Sequence, residues 1–190
     1  MSIEQDIKRL IKNIKNVERK QVPFAASVAL NKTAEQVKTG IERQLKKDID
    51  RPTPFTQKAF KVNRSTKTRL ISSVEIKPIQ AKYLRYQIEG GSRRGTKDSP
   101  VIIPRKGQQN KYGNLPRGKL SKLKLQGKSY ISNNVAYQRL KKSSKPLAYF
   151  ASKASYTKRF KFYERGHSTA KKVIVKNFKE ALKNAIRTSR

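Results

Sequence analysis

Apolar residues at helical spacing predict two helices within residues 1–50. The first begins at Ser2, the first position of a capping-box pattern, and ends near Asn16. The second begins at Pro23, a residue that suits the first turn of a helix, and ends at Asp48. The narrow apolar stripe of this helix consists of Phe24, Val28, Ala34, Val37, Ile41, Leu45 and Ile49.

The pattern changes to alternation in the next segment. The prolines of residues 51–54 end the second helix, because each proline disfavours helix in the residue before it. Residues 59–62 and 70–77 then predict two strands joined by a polar turn. One face of the second strand carries Leu70, Ser72, Val74 and Ile76. Such alternation suits a sheet with one face exposed to water. Residues 80–88 predict a short helix that ends at the glycine pair 90–91.

The C-terminal half has weaker periodicity until its last helix. Residues 91–145 predict a loop-rich segment with one short helix at 117–125. Further strands are predicted at 148–152 and 159–163. Ser168 is the predicted N-cap of the last helix. The apolar face of that helix consists of Ile174, Phe178, Ala181, Leu182, Ala185 and Ile186.

These elements predict a single α+β domain over residues 1–190. A long N-terminal helix and a C-terminal helix would pack on a small antiparallel sheet, with an extended, basic, loop-rich arm. The expected segments are a helical part at 1–50, a hairpin and short helix at 51–90, the arm with short strands at 91–163, and the C-terminal helix at 164–190. Only 35% of the residues are hydrophobic, so we expect the arm to become ordered on assembly.

Three absences limit the class of protein. The chain has no cysteine, so no disulfide or thiolate chemistry is available to it. The N-terminus does not resemble a secretory signal. The longest apolar run, residues 147–151, is far shorter than the ~20 residues that span a bilayer. We therefore expect a soluble protein with no membrane partner.

The charge is the strongest functional indication in the sequence. The formal net charge is +35, and residues 99–163 contain sixteen lysines and arginines but no acidic residue. Self-repulsion of this size disfavours a compact monomer unless a negative partner lies nearby. The candidate residues for contact with nucleic acid or an acidic partner are Arg93, Arg94, Lys97, Arg105, Lys106, Lys111, Arg117, Lys119, Lys122, Lys124, Lys128, Arg139, Lys141 and Lys142.

Groups that could carry out catalysis are scarce. His167 is the only histidine, and we expect it to be structural, because no second histidine or cysteine exists to pair with it. Asp48 and Asp50 could hold a divalent cation, but they fit better as solvated acids beside Arg51. The glycine-rich residues 90–97 lack the glycine, lysine, Ser/Thr order of a phosphate-binding loop. We predict no enzyme activity, cofactor or metal.

Basic and aromatic residues alternate at residues 158–163. On a strand, Phe160 and Phe162 would share one face and pack into the core. The same mixture is also used to stack on single-stranded bases, with Tyr163 as a third candidate. This second interpretation leads to an alternative function, a basic RNA-binding protein of the ribosomal kind.

Four short segments resemble the minor tail protein Z, or tail-completion, family of bacteriophage virion proteins and its prophage relatives. They are residues 22–34 (VPFAASVALNKTA), 51–56 (RPTPFT), 82–91 (KYLRYQIEGG) and 112–118 (YGNLPRG). The N-terminal half and the basic C-terminal helix match best, and none of the motifs is catalytic. The centre, roughly residues 95–160, matches little beyond its charge.

The resemblance implies a structural virion protein of the head–tail junction, or neck, that completes the tail and joins it to the head–tail connector. It implies assembly in a homo-oligomeric ring beside connector, tail-terminator or tail-tube subunits, after synthesis in the host cytoplasm. Packaged double-stranded DNA and acidic surfaces of the neighbouring subunits both suit the charge of the chain. A third alternative is a nuclease or nucleotide-using enzyme, for which Asp48 or Asp50 would support metal-dependent cleavage.

Overall fold

The structure, a computed structural model, describes residues 20–96 and 100–188. Within these residues, five helices and eight strands are present. The helix predicted at 2–16 and the candidate Lys97 lie outside the described residues. The described residues divide into two compact units, which we refer to as the helical unit (residues 20–45, 57–81 and 161–188) and the sheet unit (residues 46–56, 82–96 and 100–160). A single folded domain stays a prediction.

Two long helices, α1 (Val22–Asp48) and α5 (Phe162–Thr188), supply most of the helical unit. Small side chains let the helices approach closely. The buried cluster between them consists of Ala25, Ala29, Ala181 and Ala185, with Phe178 and Leu182 packed against it. Farther along α1, Ile41 and Leu45 are fully buried, and each contributes about 1.5–3 kcal/mol relative to an exposed side chain. The predicted second helix is therefore confirmed.

A β-hairpin completes the helical unit. Strand β1 (Phe60–Asn63) pairs antiparallel with β2 (Ser73–Ile76), with Phe60 opposite Ile76. The Phe60 ring stacks on the ring of Phe162 with centroids 5.9 Å apart, so the sheet packs on the start of α5. The predicted strand at 70–77 was too long, because β2 begins only at Ser73 and the preceding apolar residues are exposed.

The start of the last helix differs from the prediction. Helix α5 begins at Phe162, six residues before the predicted cap Ser168, so the strand predicted at 159–163 is wrong. The aromatic ring of Phe162 is buried and fixes the first turn, and Glu164 places a negative charge at the positive end of the helix dipole. Gly166 does not interrupt the helix.

An apolar groove of about 680 Å³ opens on the helical unit. Its lining includes Val37 and Ile41 of α1, Val74 of β2, and Ala170 and Ile174 of α5. The lone His167 also lines this groove and is exposed. None of the described helices combines the length and apolarity needed to cross a membrane.

The sheet unit starts with two short helices. Thr53 accepts a hydrogen bond from the amide of Thr56 at 3.2 Å and so caps α2 (Pro54–Gln57). Helix α3 (Pro78–Glu89), whose last eight residues belong to this unit, confirms the helix predicted at 80–88. Its C-terminal glycine Gly90 has φ = 80°, the left-handed conformation expected there.

Two antiparallel sheets and one helix form the rest of this unit. Strand β3 (Gly91–Arg94) pairs with β8 (Lys153–Tyr156). The second sheet has four strands in the order β4-β7-β6-β5. Its strands are β4 (Val101–Pro104), β5 (Ser129–Ser132), β6 (Val135–Arg139) and β7 (Ser144–Ala151), and the helix is α4 (Lys119–Leu125).

The α+β class with long helices and small antiparallel sheets is confirmed. The segment expected as an extended, loop-rich arm with short strands, residues 91–163, contains six strands and α4. Its apolar centre consists of Val135, Ala136, Leu147 and Ala148, all at most 7% exposed. Half of these residues are alanines, so the hydrophobic alternation is weak. The turn between β5 and β6 uses two asparagines with φ of 47° and 59°, Asn133 and Asn134, a conformation that asparagine tolerates well. The helix predicted at 117–125 is confirmed, and the strand predicted at 148–152 begins four residues earlier.

Candidate nucleic-acid interface

The four-stranded sheet gathers basic residues from separate parts of the sequence at one end. Strand β6 ends at Arg139 opposite Ser144, where β7 begins, and the first residue of β5 lies opposite Gln138. Strand β4 runs toward the same end, and pairing with β7 continues as Arg105 donates its amide to the Leu147 carbonyl at 2.9 Å. We refer to the cations at this end as the basic end: Arg105, Lys106, Lys128, Arg139, Lys141, Lys142 and Lys145.

All seven side chains of the basic end are exposed to solvent. Lys141 and Lys142 occupy the tip of the turn between β6 and β7, which is closed by a hydrogen bond from the Leu140 amide to the Ser143 carbonyl at 2.8 Å. No acidic residue lies within residues 99–163 to neutralise them. The ion pairs found among the described residues involve none of these seven cations. Their positive charge therefore faces water.

Tyrosine rings hold two of the arginines. Arg105 donates a hydrogen bond from Nη1 to the Tyr149 hydroxyl at 3.0 Å, and its guanidinium carbon lies 5.3 Å from the ring centroid. The guanidinium carbon of Arg139 lies 5.4 Å from the Tyr130 centroid, and Tyr130 stacks on Tyr137 with centroids 5.1 Å apart. Such contacts restrict the rotamers of long side chains and leave their charge accessible.

Helix α4 adds three of the candidate lysines beside the basic end. It leads into β5 through a hydrogen bond from the Lys128 amide to the Leu123 carbonyl at 2.8 Å. Lys122 and Lys124 are exposed, whereas Lys119 is half-buried and donates to Oε1 of Gln108 at 2.8 Å. We therefore expect Lys122 and Lys124 to be the more available of the three.

The remaining candidates lie elsewhere in the sheet unit. Arg93 and Arg94 belong to β3, and Arg94 lies opposite Lys153 of β8. Lys111 lies over the ring of Tyr112, 5.2 Å from its centroid, and Arg117 is exposed in the loop before α4. The sheet pairings that form the basic end include none of these four residues.

Lys145 and the tyrosines of the four-stranded sheet are not among the residues predicted from the sequence. Two asparagines between alternating segments are a hairpin signal, and they would have placed Tyr130 and Tyr137 on facing strands. Lys145 lies opposite Gln138 in the next hairpin. Its place at the basic end depends on the pairing register of β6 and β7, which the weak alternation of hydrophobic and polar residues does not predict.

A second arginine–tyrosine cluster lies at the end of α3. Arg85 donates from Nη2 to the Tyr86 hydroxyl at 2.8 Å, and this hydrogen bond raises the pKa of Arg85 above its ordinary value. Tyr86 also stacks on Tyr156 of β8 with centroids 5.3 Å apart. The guanidinium, which is charged at any ordinary pH, therefore lies over a stacked aromatic ring, 4.7 Å from the Tyr86 centroid.

The catalytic candidates are dispersed in the structure. Asp50 forms an ion pair with Arg51 at 2.9 Å, which agrees with the interpretation of a charge-offsetting acid. Among residues 20–96 and 100–188, no group of three His, Asp or Glu side chains could hold a metal ion. Phe160 is fully buried and Phe162 is 9% exposed, so neither side chain can stack on a base in this structure.

The comparisons add no family or fold assignment. No protein-family model matches the chain, and no curated protein or solved structure matches it either.

Proposed function

We propose that this chain is a non-enzymatic structural protein of the bacteriophage virion, at the head–tail junction, and that its basic end binds double-stranded DNA or an acidic neighbouring subunit. The observation that supports binding of a polyanion is the gathering of seven exposed cations at one end of a sheet. The setting in the virion comes from the resemblance of four sequence segments to tail-completion proteins.

The dimensions of the basic end suit a nucleic-acid backbone. Four strands at a spacing of ~4.8 Å give a row of strand ends about 14 Å wide. Duplex DNA carries one negative charge per ~1.7 Å of its axis, so a row of this width can lie beside several phosphates. Exposed lysines at turns supply charge without fixed direction, which favours binding that does not depend on base sequence.

Two of the three residues on which the RNA-binding alternative was based, Phe160 and Phe162, are buried, whereas the third, Tyr163, is exposed. One observation still favours it, the Tyr130–Tyr137 stack beside Arg139. Stacking on an aromatic ring contributes about 1–3 kcal/mol per base for single strands. Replacement of Tyr137 by leucine would therefore weaken single-stranded RNA binding, but would leave duplex DNA binding nearly unchanged.

Fluorescence anisotropy with a short duplex DNA over a range of salt concentrations tests the DNA interface. The double substitution Lys141→Gln and Lys142→Gln should weaken binding and reduce the salt slope by about 0.9 for each phosphate that the variant no longer neutralises. The matched control is Lys171→Gln with Lys172→Gln, which removes the same charge from exposed positions on α5. Equally weakened binding in both double variants would exclude a specific role for the basic end.

The virion setting has its own test. The chain should be present in purified phage particles, and labelled chain should lie between the head and the tail in images of those particles. Absence from particles that carry a complete tail would exclude the structural role. Binding to DNA in solution would not by itself support the structural role in the virion, because the two tests are independent.

A further inference from the structure

Two arginines from different helices line a small cleft in the helical unit. Arg43 lies on α1 and Arg165 on α5, and the cleft between them has a volume of about 360 Å³. Thr39 and Thr169 contribute hydroxyl groups to the same lining. The ion pairs found among the described residues include neither arginine.

Gly40 allows α5 to lie close to α1 at this cleft. A Cβ atom at Gly40 would lie 3.0 Å from Oγ1 of Thr169 and 3.6 Å from Nε of Arg165. Nε of Arg165 is buried and has no hydrogen-bond partner among the described residues. A buried donor without an acceptor costs about 1–3 kcal/mol, and a guanidinium can be satisfied only by an acceptor.

The other groups of the cleft leave it positive. The carboxylate that lines it, Glu35, forms an ion pair with Arg64 at 3.1 Å, so its charge is already opposed. The Thr39 hydroxyl donates to the Glu35 carbonyl at 3.0 Å. The donor groups among the cleft residues therefore include the two guanidinium groups, the Thr169 hydroxyl and the side-chain amide of Gln36, whose Oε1 accepts from Asn177.

We propose that this cleft binds a phosphate group. The planar forks of Arg43 and Arg165 match the oxygens of a tetrahedral oxyanion, and Thr169 supplies a neutral donor. The phosphate could be free in solution or belong to a nucleic-acid backbone. This site uses none of the residues of the basic end, so it does not depend on the function proposed there.

A calorimetric titration of the protein with inorganic phosphate tests the site. Titration with sodium chloride at equal ionic strength is the salt control. Arg165→Lys keeps the charge but removes the fork, and Arg43→Gln removes a charge. Each substitution should weaken phosphate binding about tenfold, as expected for the removal of charge-assisted hydrogen bonds. Lys172→Gln, which removes an exposed charge from the same helix, should leave phosphate binding unchanged.

Short duplex DNA distinguishes the two sources of phosphate. If a backbone phosphate enters the cleft, Arg43→Gln, which removes a charge, reduces the salt slope of DNA binding by about 1. If the ligand is free phosphate, DNA binding is unchanged while phosphate binding weakens. Phosphate binding that is equal in the wild type and both arginine variants, or no stronger than that of chloride, overturns the proposal. Circular dichroism and unfolding midpoints without phosphate confirm that the variants are folded.

Phosphate binding in the cleft and DNA binding at the basic end can be tested separately. Lys141→Gln with Lys142→Gln should weaken DNA binding and leave phosphate calorimetry unchanged. Loss of phosphate binding in that double variant would count against an independent cleft site.

Discussion

Asn177 of α5 donates a hydrogen bond to the Thr33 hydroxyl of α1 at 2.9 Å, inside the interface of the two longest described helices. The second amide hydrogen bonds to Oε1 of Gln36, also at 2.9 Å. Asn177 is 2% exposed and Thr33 is 6% exposed. The alanine cluster nearby allows close approach but has little directional preference. The amide therefore fixes the axial register of α5 against α1.

Replacement of Asn177 by alanine should lower the free energy of unfolding by about 1–3 kcal/mol, because Thr33 and Gln36 lose a donor in a buried interface. The control is Asn184→Ala, at an exposed position of the same helix, which should change stability by less than about 0.5 kcal/mol. Urea unfolding measures both values. Equal stability of the two variants would show that the amide does not stabilise the interface.

Gly166→Ala should stabilise the protein by about 0.5–1 kcal/mol, because glycine in a helix interior has a high entropic cost. The new Cβ would lie 3.6 Å from Cδ1 of Ile41 and 3.8 Å from Cγ1 of Val37, which are ordinary van der Waals contacts. Thermal unfolding should show a higher midpoint than that of the wild type. A lower midpoint would mean that the helices at this point cannot accept a methyl group.

The same substitution at Gly95 should have the opposite effect. A Cβ there would lie 2.9 Å from the Ala151 carbonyl oxygen and 3.0 Å from the Val101 amide nitrogen, and both atoms belong to the backbone. Backbone atoms cannot move aside as a side-chain tip can. Gly95→Ala should therefore cost about 1–3 kcal/mol, measured by urea unfolding. Wild-type stability in this variant would contradict the close approach of these segments.

Lys32 should stabilise the folded state in a pH-dependent way. Its hydrogen bond to Glu180 at 2.6 Å, together with its charge, holds the pKa of Glu180 below the ordinary value of 4.5. A carboxyl whose pKa is lower in the folded state stabilises that state above pH 4.5, and this contribution disappears as the pH falls through the folded-state pKa. Lys32→Gln should therefore lower the urea midpoint at pH 7.

The difference between Lys32→Gln and the wild type should shrink as the pH falls through the folded-state pKa of Glu180, where the carboxyl takes up its proton. Lys179→Gln, next to Glu180 in sequence and exposed, removes an equal charge and should show a weaker pH dependence. A difference between Lys32→Gln and the wild type that is the same at pH 7 and below the folded-state pKa of Glu180 would exclude the ion pair as its cause.

Strong periodicity made the helices of the helical unit predictable. The stripe from Val37 to Leu45 and the apolar face around Ala181 occur at the spacing that the structure buries. The start of α5 was missed because Phe160 and Phe162, two residues apart, look like one face of a strand. In the structure, Phe160 lies before the helix and Phe162 is its first residue. Local spacing could not distinguish these possibilities, because the stacking partner of Phe162 is Phe60, a hundred residues earlier.

The sequence identified the basic segment but not its arrangement. Six of the seven cations of the basic end were candidates from charge alone, and Lys145 was the exception. Their convergence depends on the pairing of β4 with β7 and of β6 with both β5 and β7. A β-bulge between Ala136 and Tyr137 shifts the register in the middle of this sheet. Short strands rich in alanine and serine carry too little hydrophobic contrast to specify such a register in advance.

The basic end comes from three stretches of chain, residues 105–106, 128 and 139–145, that meet through strand pairing. No single peptide cut from this protein would carry the whole charge pattern, and an antibody against it would recognise a discontinuous epitope that is lost on denaturation. Insertion of one uncharged residue into β6 would move the side chains that follow it in that strand to the opposite face of the sheet, without a change in net charge. A partner would therefore contact cations at fixed relative positions, and a basic peptide of equal charge would not reproduce that arrangement.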